Sequence, residues 1–168
     1  MLFGFYLSWR ATRLHRVHHR VDTTRVALEA ALARRRTAAL ALAAADGTEA
    51  TAALAAAART AGEASLTGER DLAESTLSRA LRDCLEFRDQ DRCWGMLRPQ
   101  LAEVEAAAKG VHMARTFHNA AVSDTRRARR SVLVRTFRLA GTAPLPDYFE
   151  IDDEPPRLPL LPVGPDTL

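Results

Sequence analysis

Lysine, isoleucine and aromatic side chains are scarce in this sequence. Aromatic residues make up 6% of the 168 residues, lysine occurs only at Lys109, and isoleucine occurs only at Ile151. The length allows one domain with its own core, and that core must be built mainly from alanine, leucine and valine, which suits closely packed helices. Arginine supplies the rest of the 24 basic residues. This skew is typical of a GC-rich genome such as that of an actinobacterium, so the number of arginines alone indicates no function.

Cysteine is also scarce, and the motifs of common enzymes are missing from the sequence. The only cysteines, Cys84 and Cys93, exclude paired zinc knuckles and a disulfide framework, and we expect both to be reduced thiols. The sequence has no phosphate loop, dinucleotide fingerprint, Gly-x-Ser-x-Gly elbow or Glu-x-x-His pair. His15 and His19 have the i, i+4 spacing of helical zinc ligands, but the arginines around them disfavour a metal ion. We therefore expect neither an enzyme nor a bound cofactor.

Proline and glycine are absent between Ser8 and Ala45, and this segment predicts the first of several helices. Apolar residues recur there at helical spacing. Asp46-Gly47 ends this helix, and Thr48 is placed to cap a second helix that extends to about residue 60. A turn follows, and Thr67 is placed to cap a third helix.

The last predicted helix is the longest. Pro99 is placed as its first residue, Gly141 as its C-terminal cap, and Gly110 in its middle predicts a close approach by another helix. Its apolar stripe contains Leu101, Val104, Ala108, Val111, His118, Val122, Thr125, Val132 and Thr136. Seven of the eight prolines follow Gly141, so residues 142–168 are expected to form an extended, Pro-rich and acidic tail that is mostly disordered.

These elements predict an all-α fold, an antiparallel four-helix bundle with coiled-coil-like packing and long first and last helices. Residues 10–141 are expected to form the bundle, after an apolar segment at residues 1–9. In this topology, the start of the first helix and the end of the last helix lie at the same end of the bundle.

Charge is unevenly distributed, although the net charge is only +3. Eight arginines lie between Arg10 and Arg36 and six between Arg126 and Arg138, whereas five carboxylates lie between Asp147 and Glu154. The antiparallel topology would bring the two basic segments together at a surface that attracts anionic lipid headgroups. The residues expected to contact a membrane or a partner are Arg10, Arg13, Arg16, Arg20, Arg126, Arg127, Arg129, Arg130, Tyr148 and Phe149. The alternative is a solvated basic face with no partner.

The first nine residues are apolar and uncharged. As a helix they would span about 14 Å, less than half of a hydrocarbon core of about 30 Å. We interpret them as the end of a membrane-spanning helix whose beginning is missing from this sequence; the alternative is a short apolar foot. Tyr6 and Trp9 suit a membrane interface, and the arginines that follow predict a domain on the cytoplasmic face of the cell membrane.

Several strings, taken in order, resemble the LemA family. RLHRVHHRVDTTRVALE (residues 13–29) resembles the family's first helix, and RRRTAALAL (34–42) resembles the segment after it, without the usual Asp-Leu and proline. ARTFHNAAV (114–122) is similar to the family's signature, with histidine where tyrosine is usual, and PLPDYFE (144–150) is similar to the segment after its last long helix. The family-motif positions are Arg115, Phe117, His118 and Asn119. The resemblance implies an N-terminally anchored helical bundle in a family with no agreed biochemical activity.

Together these features predict a membrane-associated scaffold or adaptor that contacts an anionic membrane surface and binds a protein partner through its tail. Two interpretations of the tail stay open. Either it folds back, so that Tyr148 and Phe149 cover the bundle and its acids meet arginines, or it is a linear motif offered to a partner. His118 is expected to be buried and hydrogen-bonded across the bundle.

The alternative functions are a small-molecule hydrolase with a site inside the bundle and a nucleic-acid-binding protein. Residues 126–138 are basic enough to bind phosphates, but their amphipathic pattern and the shortage of aromatic residues favour a lipid interface. We therefore expect no nucleic acid partner.

Overall fold

The computed structural model describes residues 2–64, 67–86, 94–130 and 145–156 of the chain. Within these ranges the protein is all-α: helix α1 spans Leu2–Asp46, α2 spans Glu49–Glu63, α3 spans Thr67–Glu86 and α4 spans Trp94–Arg129. Residues 145–156 belong to no helix or strand. The predicted fold class and the existence of these helices are confirmed.

The chain divides into two compact units. The first unit contains Met1–Ala31 and Met113–Glu150, and the second contains Leu32–His112 and Ile151–Leu168. Helices α1 and α4 therefore contribute to both units, while α2 and α3 belong to the second.

The second unit contains a core of small aliphatic side chains. Its buried residues are Ala38, Ala39, Leu42, Leu54, Ala58, Ala61, Ala73, Leu77, Leu81, Cys84, Leu85, Leu97, Leu101, Val104 and Ala107. None of these side chains is aromatic, as the composition predicted. Each buried leucine contributes about 2 kcal/mol of transfer free energy to folding. Many small aliphatic side chains therefore stabilise this core without large aromatic residues.

In the first unit, a smaller set of residues joins α1 to α4. Val21, Ala121 and Val122 form a buried cluster. The Thr125 hydroxyl donates to the carbonyl of Ala121 in its own helix at 2.9 Å and lies 3.5 Å from the backbone carbonyl of Val17 on α1. Val122 and Thr125, which the sequence placed in the apolar stripe of α4, both take part in these contacts.

The end of α1 follows the predicted pattern. Gly47 has a φ of 64°, a left-handed conformation that favours glycine, and its N–H donates to the carbonyl of Ala43 at 3.0 Å. Thr48 occupies the N-cap position of α2 as predicted, but its side chain makes no capping bond and its hydroxyl donates to Asp46. Thr67, predicted as a cap, is the first residue of α3.

Two predictions about α4 are wrong. The helix begins at Trp94, and Pro99 lies inside it. Pro99 is the sixth residue of this helix, so it removes the backbone bond to the carbonyl of Gly95. No described helix approaches Gly110 closely, since a Cβ at this position would meet no atom of the described residues within 4 Å. The predicted continuation of α4 to Gly141 lies outside the described residues.

Candidate functional site

Basic residues of α1 and α4 lie close together in the first unit. Besides the contact of Thr125 with Val17, Arg20 forms an ion pair with Asp124 at 3.3 Å. These contacts place the arginine-rich stretch of α1 beside the arginine-rich end of α4. We call the arginines of these two stretches the basic surface: Arg16, Arg20, Arg126, Arg127, Arg129 and Arg130. The side chains of Arg10 and Arg13, which were predicted to join them, lie outside the described residues.

The members of the basic surface differ in how much of each side chain reaches solvent. Arg16, Arg127 and Arg130 are exposed, whereas Arg129 is half-buried. Arg20 is exposed as well, but its charge is partly neutralised by Asp124. The exposed guanidinium groups are the ones placed to meet an external anion.

Arg126 instead binds a segment of its own chain. Its Nε donates to the carbonyl of Pro146 at 2.8 Å, and its Nη2 donates to the carboxylate of Asp147 at 2.9 Å. The centre of its guanidinium lies 4.9 Å from the centre of the Tyr148 ring, within cation–π distance. One arginine thus recognises a carbonyl, a carboxylate and an aromatic ring on consecutive residues.

Asn119 holds the next residue of this segment by its backbone. The Asn119 Nδ2 donates to the carbonyl of Phe149 at 3.1 Å, and the Phe149 N–H donates to Asn119 Oδ1 at 3.0 Å. This paired donor and acceptor reproduces the bonding of a neighbouring strand. We call residues 146–149 the docked segment. Its contacts with Arg126 are those expected from the fold-back interpretation of the tail.

His118 lies beside these contacts and is buried, as predicted. Its Nδ1 is 3.4 Å from the hydroxyl of Thr24 on α1. Burial lowers the pKa of His118 from its ordinary value of 6.5, and the positive charge of Arg25 lowers this pKa further. A hydrogen bond with the backbone of Asp147 and the negative charge of Glu29 raise the pKa, but they do not cancel the effect of burial. A neutral imidazole at neutral pH is the consequence.

Two of the strings that carry the resemblance, residues 114–122 and 144–150, therefore contact each other in the structure. His118 and Asn119 belong to the first string, and the docked segment belongs to the second. The other motif positions are placed differently: Arg115 is half-buried, and Phe117 has 55% of its surface exposed.

The residues after the docked segment are held by polar contacts within the second unit. Arg82 binds the carboxylate of Asp152, and its guanidinium lowers the pKa of that carboxyl. The backbone N–H of Asp152 donates to the hydroxyl of Ser75 at 3.1 Å, and the His112 ring lies 3.1 Å from the carboxylate of Asp153. Ile151 and Asp153 are buried. The tail predicted to be mostly disordered is therefore packed at residues 145–156, and residues 157–168 lie outside the described part.

A buried charged cluster was missed by sequence reasoning. The Glu74 side chain is fully buried and accepts hydrogen bonds from Arg35 at 2.7 Å and from Arg36 at 2.6 Å. Arg35, with only 2% of its surface exposed, also donates to the Ser78 hydroxyl at 2.8 Å. The spacing contained a signal, because Glu74 precedes Leu77, Leu81 and Cys84 at intervals of three, four and three residues. We call Arg35, Arg36, Glu74 and Ser78 the buried cluster.

The described residues contain no group of three or more His, Cys, Asp or Glu side chains arranged to hold a metal ion. His19, one of the histidines considered for such a site, has its Nδ1 3.2 Å from the Thr23 hydroxyl. Among the helices of the described ranges, none combines the length and the apolar character needed to cross a bilayer.

A shallow groove of about 380 Å³ between α1 and α2 is lined by four alanines together with Leu40, Gly47, Thr48, Thr51 and Arg59. Its lining includes no histidine or carboxylate. Compared with known proteins, the chain matches no family model, no curated protein and no solved structure.

Proposed function

We propose that this protein is a membrane-associated helical scaffold or adaptor, with a basic surface that contacts anionic lipid. The observation that carries the proposal is the proximity of the two arginine-rich stretches in the first unit, given by the contacts of Thr125 with Val17 and of Arg20 with Asp124. Basic residues from distant parts of the sequence thereby act on the same part of a lipid surface.

The expected strength of the contact follows from the exposed arginines. A basic residue close to an anionic membrane contributes about 1 kcal/mol. Arg16, Arg127 and Arg130 together would contribute about 3 kcal/mol, or roughly a hundredfold in affinity. Arg20 adds less because Asp124 neutralises it, and Arg126 adds less because the docked segment occupies its donors.

The proposal includes an antiparallel arrangement of α1 and α4. In the first unit, Val17 contacts Thr125 and Thr24 contacts His118. Between these two pairs, Arg20 contacts Asp124. Rising residue numbers on α1 are thus paired with falling numbers on α4, which supports this arrangement.

Attachment through residues 1–9, a position on the cytoplasmic face of the cell membrane and membership of a divergent LemA branch are further parts of the proposal. Their support is the apolar N-terminal segment followed by arginines, together with the ordered strings that resemble that family.

Co-sedimentation of the full chain with vesicles tests the lipid contact. Vesicles of neutral phosphatidylcholine are compared with vesicles that contain 30% phosphatidylserine, at about 50 and 500 mM salt, since the Debye length shrinks severalfold between these conditions. We expect binding that requires the anionic lipid and that weakens at high salt. Equal binding to both vesicles, or none to either, would contradict a role for the basic surface in membrane contact.

A nucleic-acid-binding function would use the same arginines. It is tested by measuring the binding of the same full chain to nucleic acid. Binding to double-stranded DNA or to RNA with a steep salt dependence, in the absence of vesicle binding, would favour it. A hydrolase inside the bundle would need buried groups with unoccupied donors and acceptors facing a cavity. The carboxylate of the buried cluster instead has both oxygens bound by arginine.

A further inference from the structure

We propose that the surface of α4 formed by Asn119 and Arg126 is a peptide-binding site for an extended segment of a partner protein, in which an acidic residue is followed by an aromatic one. The docked segment occupies this site within the chain and gives the pattern of its ligand. This site would give the protein its adaptor role, so the inference rests on that part of the proposed function. It does not depend on lipid binding.

Asn119 supplies recognition of an extended backbone. Its side-chain amide satisfies both the N–H and the carbonyl of Phe149, at 3.0 and 3.1 Å. These bonds do not involve the Phe149 side chain, so any residue except proline, which lacks the N–H, could take this position. The site therefore accepts an extended peptide rather than this sequence alone.

Arg126 supplies recognition of the side chains. Its guanidinium binds the Asp147 carboxylate and lies over the Tyr148 ring, while its Nε binds the carbonyl of Pro146. A charge-assisted bond and a cation–π contact on adjacent residues together select an acid followed by an aromatic residue. A basic residue in place of the acid would be repelled by Arg126 and its arginine neighbours.

The docked segment lies at the surface, where another peptide can replace it. The Asp147 side chain is 82% exposed, and Tyr148 keeps 38% of its surface in contact with solvent. A second copy of this chain is a poor competitor, since it offers the same segment with the same contacts, whereas the intramolecular segment has an effective concentration of about millimolar. A partner whose segment makes additional contacts can exceed that advantage.

Fluorescence anisotropy in lipid-free solution tests the site. The ligand is a labelled peptide with the sequence of residues 145–154, and the control peptide carries Asp147→Lys and Phe149→Pro. The proteins are the full-length wild type and a full-length opened variant carrying Asp147→Lys with Phe149→Pro, which weakens its own docked segment. A third protein adds Asn119→Ala to the opened variant, and circular dichroism checks the helix content of each.

We expect the opened variant to bind the labelled peptide at least tenfold more tightly than the wild type, because its site is unoccupied. Asn119→Ala should reduce that binding about tenfold or more, since two hydrogen bonds of about 1 kcal/mol each are lost, and the control peptide should not bind. Where the opened variant loses helix content, Asp147→Lys alone takes its place.

Three results would overturn the proposal: no peptide binding by a folded opened variant, binding that Asn119→Ala leaves unchanged, or a wild-type dimer in light scattering that the opening substitutions dissociate. The last would assign the site to exchange between copies. None of these depends on vesicles, so a failure here is distinguishable from a failure of the proposed membrane contact.

Discussion

Glu74 shows how one residue can determine the packing of a core that lacks aromatic side chains. Its carboxylate has no solvent-exposed surface and lies between the guanidinium groups of Arg35 and Arg36. Burying such charges is costly unless each is paired and hydrogen-bonded. The arrangement therefore fixes the register of α1 against α3, because a shift along either helix would leave a buried charge without its partner.

Substitution Glu74→Gln is expected to lower the free energy of unfolding by about 3–5 kcal/mol, because it leaves buried Arg35 without an anionic partner. Urea unfolding followed by circular dichroism measures the change. Glu103→Gln is the matched control, as it breaks the ion pair with Arg34 at a site where both side chains are about half exposed. A loss of stability at Glu74 no larger than the loss at Glu103 would contradict the importance of the buried cluster.

His118 predicts a dependence of stability on pH. Burial lowers its pKa below the ordinary value of 6.5, so the unfolded chain takes up a proton at a higher pH than the folded chain does. The free energy of unfolding should therefore be unaffected by this group above about pH 7 and should fall as the pH decreases through 6.5.

The measurement for His118 is the free energy of unfolding at several pH values between about 7.5 and 5, for the wild type and for His118→Gln. The variant should lose less stability on acidification than the wild type. Other histidines contribute to both curves, so the difference between the curves is the informative quantity. A difference that stays constant with pH would show that His118 does not retain a lowered pKa in the folded protein.

At the scale of elements, periodicity predicted which faces of the helices are buried. The stripe predicted for α4 coincides with buried residues wherever its side chains are described. Periodicity succeeds because the helical repeat fixes which side chains share a face. It did not identify Glu74 and Arg35 as buried, although both lie in register with buried leucines, because an apolar stripe is defined by apolar residues alone.

The docked segment could not be predicted from pattern alone. Its bonds join Asn119 to the backbone of Phe149, 30 residues away in sequence, and a side-chain amide bound to backbone leaves no periodic signal. The charge pattern did indicate that the acidic tail would meet arginines, as Asp147 does with Arg126. The sequence pattern does not show which arginine binds Asp147 or which donor atoms it uses, because both depend on three-dimensional packing.

Gly110, inside α4, and Gly47, directly after the end of α1, give opposite predictions. Gly110→Ala should raise the free energy of unfolding by about 0.5–1 kcal/mol, because alanine favours helix and its Cβ meets no atom within 4 Å. Gly47→Ala should lower it by about 1 kcal/mol or more, because the φ of 64° is strained for alanine. Thermal or urea unfolding of both variants checks the pair, and a destabilising Gly110→Ala would mean that a neighbour does approach this glycine.

At the scale of the whole molecule, the features proposed for contact with other molecules are concentrated in the first unit. This unit holds the basic surface, His118 and the docked segment, whereas the second unit holds the larger aliphatic core and the buried cluster. The sequence predicted this concentration of arginines from the order of helices and the charge runs. Within this concentration, Arg126 binds the docked segment, while Arg127 and Arg130 are exposed.

The most direct test of the proposed membrane contact is therefore a charge reversal at the two exposed arginines of α4, measured by vesicle co-sedimentation. Arg127→Glu with Arg130→Glu changes the charge of the basic surface and leaves Arg126 to hold the docked segment. The matched control is Arg59→Glu with Arg98→Glu, which makes the same charge change at exposed residues outside the basic surface. We predict that the first variant loses tenfold or more of its affinity for phosphatidylserine vesicles, while the control loses less than threefold. Equal losses in the two variants would contradict the account, because they would show that only net charge, and no particular surface, governs the interaction.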